Sequence, residues 1–163
     1  MTARARPLAL VTGASSGIGA EFARQLAARG YNLVLTARRA ERLRALGEQV
    51  RQDYGAAAET LTADLSEETG IATVEDRLRP GNVHLLVNNA GFGIGKSFAR
   101  ADLGGQLAML SVHAIAPMRL MRAALPGMIE RSTGGAINVA SLAAFISLPG
   151  NANPLSGLLI SEM

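Results

Sequence analysis

The chain has 163 residues, 48% of them hydrophobic, 18% charged and 4% aromatic, with 18 glycines and a net charge of +3. This length suits one domain with a real core and is too short for two ordinary ones, and the composition excludes a fibrous or disordered chain. There is no cysteine, which excludes disulfides, thiolate metal sites and cysteine nucleophiles. Fifteen of the 16 basic residues are arginines, spread from Arg4 to Arg131 and mostly near an acid; this reads as a solvated charged face, with no nucleic-acid partner. No run of about 18 apolar residues occurs, so no membrane span is expected. The run Leu8–Val11 behind Arg4 and Arg6 is too short for a signal-peptide core, and a cytoplasmic location is expected.

Leu8–Val11 reads as a strand that leads into Thr12-Gly13-Ala14-Ser15-Ser16-Gly17-Ile18-Gly19. Glycines there let backbone N–H groups approach an anion, and the free N–H groups and dipole of a following helix favour negative charge. Taken alone, three such glycines also suit a plain tight turn. Ile18, Phe22 and Leu26 recur at intervals of four, which predicts a helix ending at Gly30 with these side chains on one face. The apolar run Leu33 to Leu35 then completes a strand, helix, strand unit, the context a dinucleotide-binding turn requires.

A second helix is predicted over Arg39–Tyr54 from Leu43, Leu46 and Val50, with Gly55 as its stop. Glu59–Asp64 alternates as a strand with unlike faces, and a third helix starts at Ser66 as N-cap and ends at Pro80 and Gly81, although Gly70 weakens it. Val83–Val87 reads as a strand buried on both faces, followed at once by Asn88-Asn89-Ala90-Gly91. From Asp102 a longer helix runs towards Leu125, carrying Leu103, Leu107, Leu110, Met118, Met121 and Leu125, with a kink at Pro117. Ala136–Ala140 is the fifth strand, closed by Ser141. The alternation gives an α/β fold, a Rossmann-type doubly wound parallel sheet, incomplete at its C-terminal edge. Ligands bind such sheets beyond the carboxyl ends of the strands. The glycine turn, Ala37 to Arg39, Asp64, Asn88 to Gly91 and Ser141 are all expected there, around one crevice.

In Thr12 to Gly19, Asp64-Leu65, Asn88-Asn89-Ala90-Gly91 and Asn138-Val139-Ala140-Ser141 the chain resembles the short-chain dehydrogenase/reductase family, from about Leu8 to Ala152. The resemblance implies an NAD(P) site with the pyrophosphate on Gly13, Ser15, Ser16, Gly17, Ile18 and Gly19. It puts the adenine ring near Asp64 and Leu65, and Asn89, Ala90 and Gly91 on the wall towards the nicotinamide. Asn88 would tie neighbouring strands together. Asp64 also reads as a helix-capping or turn aspartate. The end of the second strand holds Ala37, Arg38 and Arg39. An acid there would bind the ribose hydroxyls of NAD and repel a 2′-phosphate, whereas a small neutral residue beside two guanidinium groups suits the phosphate. NADP is therefore expected over NAD, with surface solubility as the other role for Arg39.

The resemblance further implies hydride transfer between the cofactor and the carbonyl or alcohol carbon of a small molecule. Ser141 matches the serine that polarises the substrate oxygen, and it also reads as a polar residue ending a strand. His113 stands where many members carry an asparagine that supports a water relay. Its imidazole can relay a proton or hold a water, or be satisfied structurally.

The family's proton donor is a tyrosine in a Tyr-x-x-x-Lys motif about a dozen residues beyond the serine. Here the only tyrosines are Tyr31 and Tyr54, the sole lysine is Lys96, and thirteen residues past Ser141 stands Pro154. Proline and the nearby Gly157 oppose a helix at that point. Two functions are thus in view: an NADP-dependent oxidoreductase, and a truncated, catalytically inactive dinucleotide-binding fragment. Residues 1–152 would form a partial dinucleotide-binding domain and 153–163 a tail foreign to the family. Such a loss would leave strand five unpaired and apolar helix surface uncovered, giving a poorly soluble chain. It also puts in doubt the homo-oligomer open to full-length members. A shifted reading frame near Ala152 would explain the abrupt change. Translating the other two frames of the coding DNA should then reveal Tyr-x-x-x-Lys in one of them, and its absence from both rules the shift out.

Overall fold

The computed structural model describes residues 5–95 and 100–141; Lys96 and the sequence features from Pro149 onward lie outside them. The elements are β1 (Leu8–Thr12), α1 (Gly17–Ala28), β2 (Asn32–Ala37), α2 (Ala40–Tyr54), β3 (Ala58–Thr62), α3 (Glu68–Leu78) and β4 (Val83–Asn88). They continue with α4 (Leu103–Leu110), a π-helical turn (Ser111–Ile115), α5 (Ala116–Glu130) and β5 (Gly135–Asn138). The strands form one parallel sheet in the order β3-β2-β1-β4-β5. The chain winds outward from β1 to β3, then crosses back to β4. Strand order therefore reverses between β1 and β4, which opens a crevice at their carboxyl ends.

Central strands covered on both faces need apolar side chains in both directions. In β1, Ala9, Leu10 and Val11 are fully buried. With side chains alternating along the strand, Ala9 and Val11 join the core beneath α1 and α2, while Leu10 joins the core beneath α3 and α5. The outer helices carry paired charges: Arg24–Glu21, Arg44–Glu41, Arg51–Glu48 and Arg79–Asp76 are all ion pairs three residues apart. These are solvated pairs of the kind that contribute little.

Helix α2 follows its sequence pattern, with Leu43, Leu46 and Val50 buried and Gly55 in the left-handed conformation as its stop. Helix α1 does not. Its buried face is Ala20, Ala23, Leu26 and Ala27, while Ile18 is 62% exposed and Phe22 half-buried. Small side chains let the helix lie close to the sheet, and Ile18 in the first turn is left for the crevice. Helix α3 begins after Glu67, because Ser66 bonds to Asp64 instead of capping. Gly70 is required there: a Cβ would stand 1.9 Å from the Asp64 carbonyl oxygen.

The long helix departs most from expectation. Met109, Val112, Ala116, Leu120, Ala124 and Met128 are buried, whereas Leu103, Leu107 and Met118 are more than half exposed. Both faces of this helix carry apolar residues, and the face that fits the sheet includes alanines at its contact points. Pro117 is the second residue of α5, directly after the π turn, in backbone that stays helical from one to the other. The helix also continues through Pro126 to Glu130. Strand β5 stops at Asn138, short of Ala140, and is an edge among the described residues.

Arg119 of α5 fastens this helix to α3. Its Nε and Nη2 donate to the two Glu75 carboxylate oxygens at 2.9 and 2.6 Å, and its Nη1 donates to Glu68 at 2.6 Å. The bonds from Arg119 hold the Glu75 carboxyl below the usual carboxylate range despite its burial. A carboxyl with a depressed folded value stabilises the fold above its unfolded value, and that contribution is lost as pH falls through the folded one. Stability should therefore drop below about pH 4.5, the ordinary glutamate value. Urea unfolding at pH 7 and pH 3 should show Glu75→Gln destabilised at pH 7 and with a smaller drop on acidification.

Candidate functional site

The crevice is held by one hydroxyl. Thr12 at the end of β1 is 1% exposed. Its Oγ1 accepts from the amides of Asn89 at 2.9 Å and Ala90 at 3.0 Å, and donates to the Val87 carbonyl at 3.3 Å. Asn89 reciprocates, its Nδ2 donating to the carbonyls of Thr12 at 3.0 Å and Gly13 at 3.4 Å. The turn after β1 and the turn after β4 are thereby one unit.

The three motif glycines are needed for space, for backbone conformation or, at Gly13 with its φ of +66°, for both. A Cβ on Gly13 would stand 2.8 Å from the Ala90 Cα, and one on Gly19 would stand 2.4 Å from both the Gly13 carbonyl oxygen and the Asn89 side-chain Nδ2. Those two allow the turns and α1 to meet. Gly17 has a φ of +55° and nothing within 4 Å of its Cβ position. It needs glycine for its backbone, and the space beside it is open.

Ser16, the residue before α1, makes no side-chain capping bond. Its Oγ accepts from Arg39 Nη2 at 2.6 Å, and Ser15 Oγ accepts from the Nε and Nη2 of Arg39 at 3.1 and 2.9 Å. The helix N-terminus, with its partial positive charge, so stands beside a guanidinium group. Across the mouth, Asp64 Oδ1 accepts from the Ser66 amide at 3.0 Å and hydroxyl at 2.7 Å, while Arg38 Nη1 lies 3.6 Å from Oδ2. Burial alone would raise the Asp64 carboxyl, but the Ser66 bonds and Arg38 outweigh it and hold the group below its ordinary range.

The crevice encloses about 460 Å³. Gly13, Ser15, Ser16, Gly17, Ile18, Arg38, Arg39, Asp64, Leu65, Asn89, Ala90 and Gly91 line it. Gly19 is the one expected cofactor residue behind the wall, packed on Gly13. Thr36, Ala63, Phe92 and Val112 also line it and had not been singled out. Phe92 directly follows the Asn-Asn-Ala-Gly turn, which was a usable signal. Val112 carries no such signal, because the helix is apolar on both faces.

The fifth segment lines an adjoining cavity that shares Ala90 with the crevice. Asn88 Nδ2 donates to Asn138 Oδ1 at 2.9 Å, tying β4 to β5. Both line a second cavity of about 220 Å³ with His113, Met118, Met121, Val139 and Ala140. His113 Nε2 lies 3.1 Å from the Phe92 amide nitrogen and 2.9 Å from its carbonyl oxygen. Ser141 is exposed beyond β5, one residue past Ala140 of this second cavity. Among the described residues no group of acidic or histidine side chains could hold a metal, and no helix is long and apolar enough to cross a membrane.

A parallel sheet that reverses order beside a glycine-rich first turn defines a Rossmann-type α/β domain. More narrowly, the chain belongs to the short chain dehydrogenase family, whose defining pattern matches residues 7–153. It is 33% identical over 140 residues to an uncharacterized oxidoreductase of Staphylococcus saprophyticus, covering 85% of this chain and 60% of that one. It superposes on the bulky-bulky ketone specific alcohol dehydrogenase of Comamonas testosteroni with a TM-score of 0.90 and 31% identity, covering 96% of this chain and 64% of the other. A short-chain dehydrogenase of Sphingobium yanoikuyae in complex with NADPH gives 0.86 and 38%, covering 90% and 57%. This chain thus spans about three fifths of the length of these proteins.

Thr12→Val should leave the Asn89 and Ala90 amides without an acceptor. The expected loss is about 1–3 kcal/mol, the cost of a buried donor left unsatisfied. Thr12→Ser should recover most of it, as chemical denaturation of the three proteins would measure.

Proposed function

We propose that the crevice binds NADP(H), and that the protein is an NADP-dependent oxidoreductase moving hydride between the cofactor and a carbonyl or alcohol carbon of a small molecule. The observation that carries this reading is Arg39 bonded to Ser15 and Ser16 beside the uncapped start of α1. It leaves room for the diphosphate at Gly17 and supplies a guanidinium for the 2′-phosphate. Arginine suits that group through paired, charge-assisted hydrogen bonds. Ala37 in place of an acid at the end of β2 supports NADP over NAD, and the Sphingobium relative was solved with NADPH.

In this reading Gly13, Ser15, Ser16, Gly17 and Ile18 hold the pyrophosphate, with Gly19 shaping the turn from behind. Arg38 and Arg39 take the 2′-phosphate, Asp64 and Leu65 the adenine end, and Asn89, Ala90 and Gly91 the wall towards the nicotinamide. The bound cofactor supplies or accepts the hydride. The Ser141 hydroxyl donates to the substrate oxygen and stabilises charge as it develops there. Residues 1–152 are assigned to the dinucleotide domain and 153–163 to a separate tail. A cytoplasmic location accords with a chain free of cysteine.

One observation favours a second reading. No tyrosine follows Tyr54 and the only lysine is Lys96, so this chain lacks the family's proton donor and its lysine partner. It would then hold the dinucleotide without turning it over. Titration with NADPH and NADH, followed by NADPH oxidation assays on a panel of aldehydes and ketones, separates the two. NADPH should bind more tightly than NADH, and Arg39→Ala should weaken NADPH by about tenfold or more, as for a lost charge-assisted hydrogen bond. Turnover well above a Ser141→Ala control supports the enzyme, and binding without turnover supports the module.

A further inference from the structure

We propose that Asp64 sets how strongly the crevice prefers NADP(H) over NAD(H): paired with Arg38, it cancels one of the two guanidinium charges at the mouth. Arg39 alone then carries the net positive charge that selects a 2′-phosphate. This rests on the crevice being the dinucleotide site.

The two arginines are held differently. Arg39 has neutral partners among the described residues, the hydroxyl oxygens of Ser15 and Ser16. Such partners leave the guanidinium charge uncancelled. Arg38 instead faces a carboxylate, its Nη1 lying 3.6 Å from Asp64 Oδ2. The side chains of this pair are 66% and 37% exposed, so both are open to a ligand at the mouth. A pair so exposed adds little to stability. Its weight lies in the charge it removes: where the sequence offers two cations side by side, an incoming anion meets one cation and one neutral pair.

Asp64 is fixed in that place. Its Oδ1 is taken by the Ser66 amide and hydroxyl, which leaves Oδ2 for Arg38. Against burial, the bonds from Ser66 and the nearby Arg38 hold the carboxyl below its ordinary range, so it is ionised at neutral pH. It lines the same crevice as both arginines. An acid at the end of the second strand favours a ribose hydroxyl over a phosphate. Ala37 removes the acid from that strand, and Asp64 returns one from the end of the third. A phosphate carries close to two negative charges and is repelled by this carboxylate, whereas the neutral 2′-hydroxyl of NAD(H) is not. Asp64 therefore works against the preference that the arginines create. Whatever it contributes at the adenine end falls equally on both cofactors, because they share the adenine.

The test is a fluorescence titration of the full chain with NADPH and with NADH, read as the ratio of the two dissociation constants. Asparagine at 64 keeps an Oδ1 for Ser66 and removes the charge. Asp64→Asn should raise the preference for NADPH by about three- to tenfold, the size of one or two partly exposed charge contacts. Arg38→Ala should lower it by a similar factor, and the double variant should return to within about twofold of the parent. At about 1 M salt, where charges are screened within a few ångströms, the variants and the parent should draw together. Asp64→Ser, smaller and also uncharged, serves if Asp64→Asn does not fold. An uncharged residue at 64 that leaves the ratio unchanged or lowers it overturns the inference alone, as does a rise that high salt does not diminish. A parent that binds neither cofactor overturns the dinucleotide reading, and this inference with it.

Discussion

The hydroxyl of Thr12 is the contact on which the rest of the site depends. Reversal of strand order between β1 and β4 is what opens a crevice in a parallel sheet, but the same reversal separates the two turns that must form its walls. No backbone ladder crosses that gap beyond the strand ends. One buried oxygen takes two amides from the far turn and gives its proton to the strand beneath, and Asn89 returns two bonds to the near turn. In a buried setting such a network is costly if any member is lost. The arrangement gives the crevice a rigid floor although it is built from loops.

On this floor, steric and electrostatic demands fall on different residues. Gly19 and Gly70 have no side chain because another backbone or an amide occupies the space, and Gly13 for that reason and because its own φ is +66°. Gly17 has none because its backbone is left-handed, and the space beside it stays open. The charges lie at the mouth: Arg39 on the serines of the glycine turn, and Arg38 near Asp64. Against burial, the bonds from Ser66 and the nearby Arg38 hold the Asp64 carboxyl below its ordinary range, and the Ser66 hydroxyl so engaged does not cap α3.

What was legible in the sequence was what is local. The order of strands and helices, the buried stripe of α2, the stop at Gly55 and the glycine turn all follow from spacing within a few residues. Twelve of the thirteen expected cofactor residues line one crevice, because each sits at a strand end or in the turn that follows one. The buried face of α4 and α5 was not legible, since Leu103, Leu107 and Met118 are as apolar as the side that packs. Choosing between two apolar faces requires the shape of the sheet beneath. Ile18 is a related case: helical spacing groups it with Leu26, but the face that packs is made of Leu26 and three alanines. His113 was visible as a candidate, but its partner Phe92 lies twenty-one residues away, and no local pattern announces that contact.

The bare start of α1 has a consequence for folding as well as recognition. A helix whose N-cap residue, Ser16, gives its hydroxyl oxygen to Arg39 instead of to the helix backbone is unfinished, because its leading N–H groups await an acceptor. An anion seated at Gly17 would act as the missing cap. Ligand and secondary structure then share one free energy: whatever occupies the turn also tightens the helix, and stability rises with its concentration.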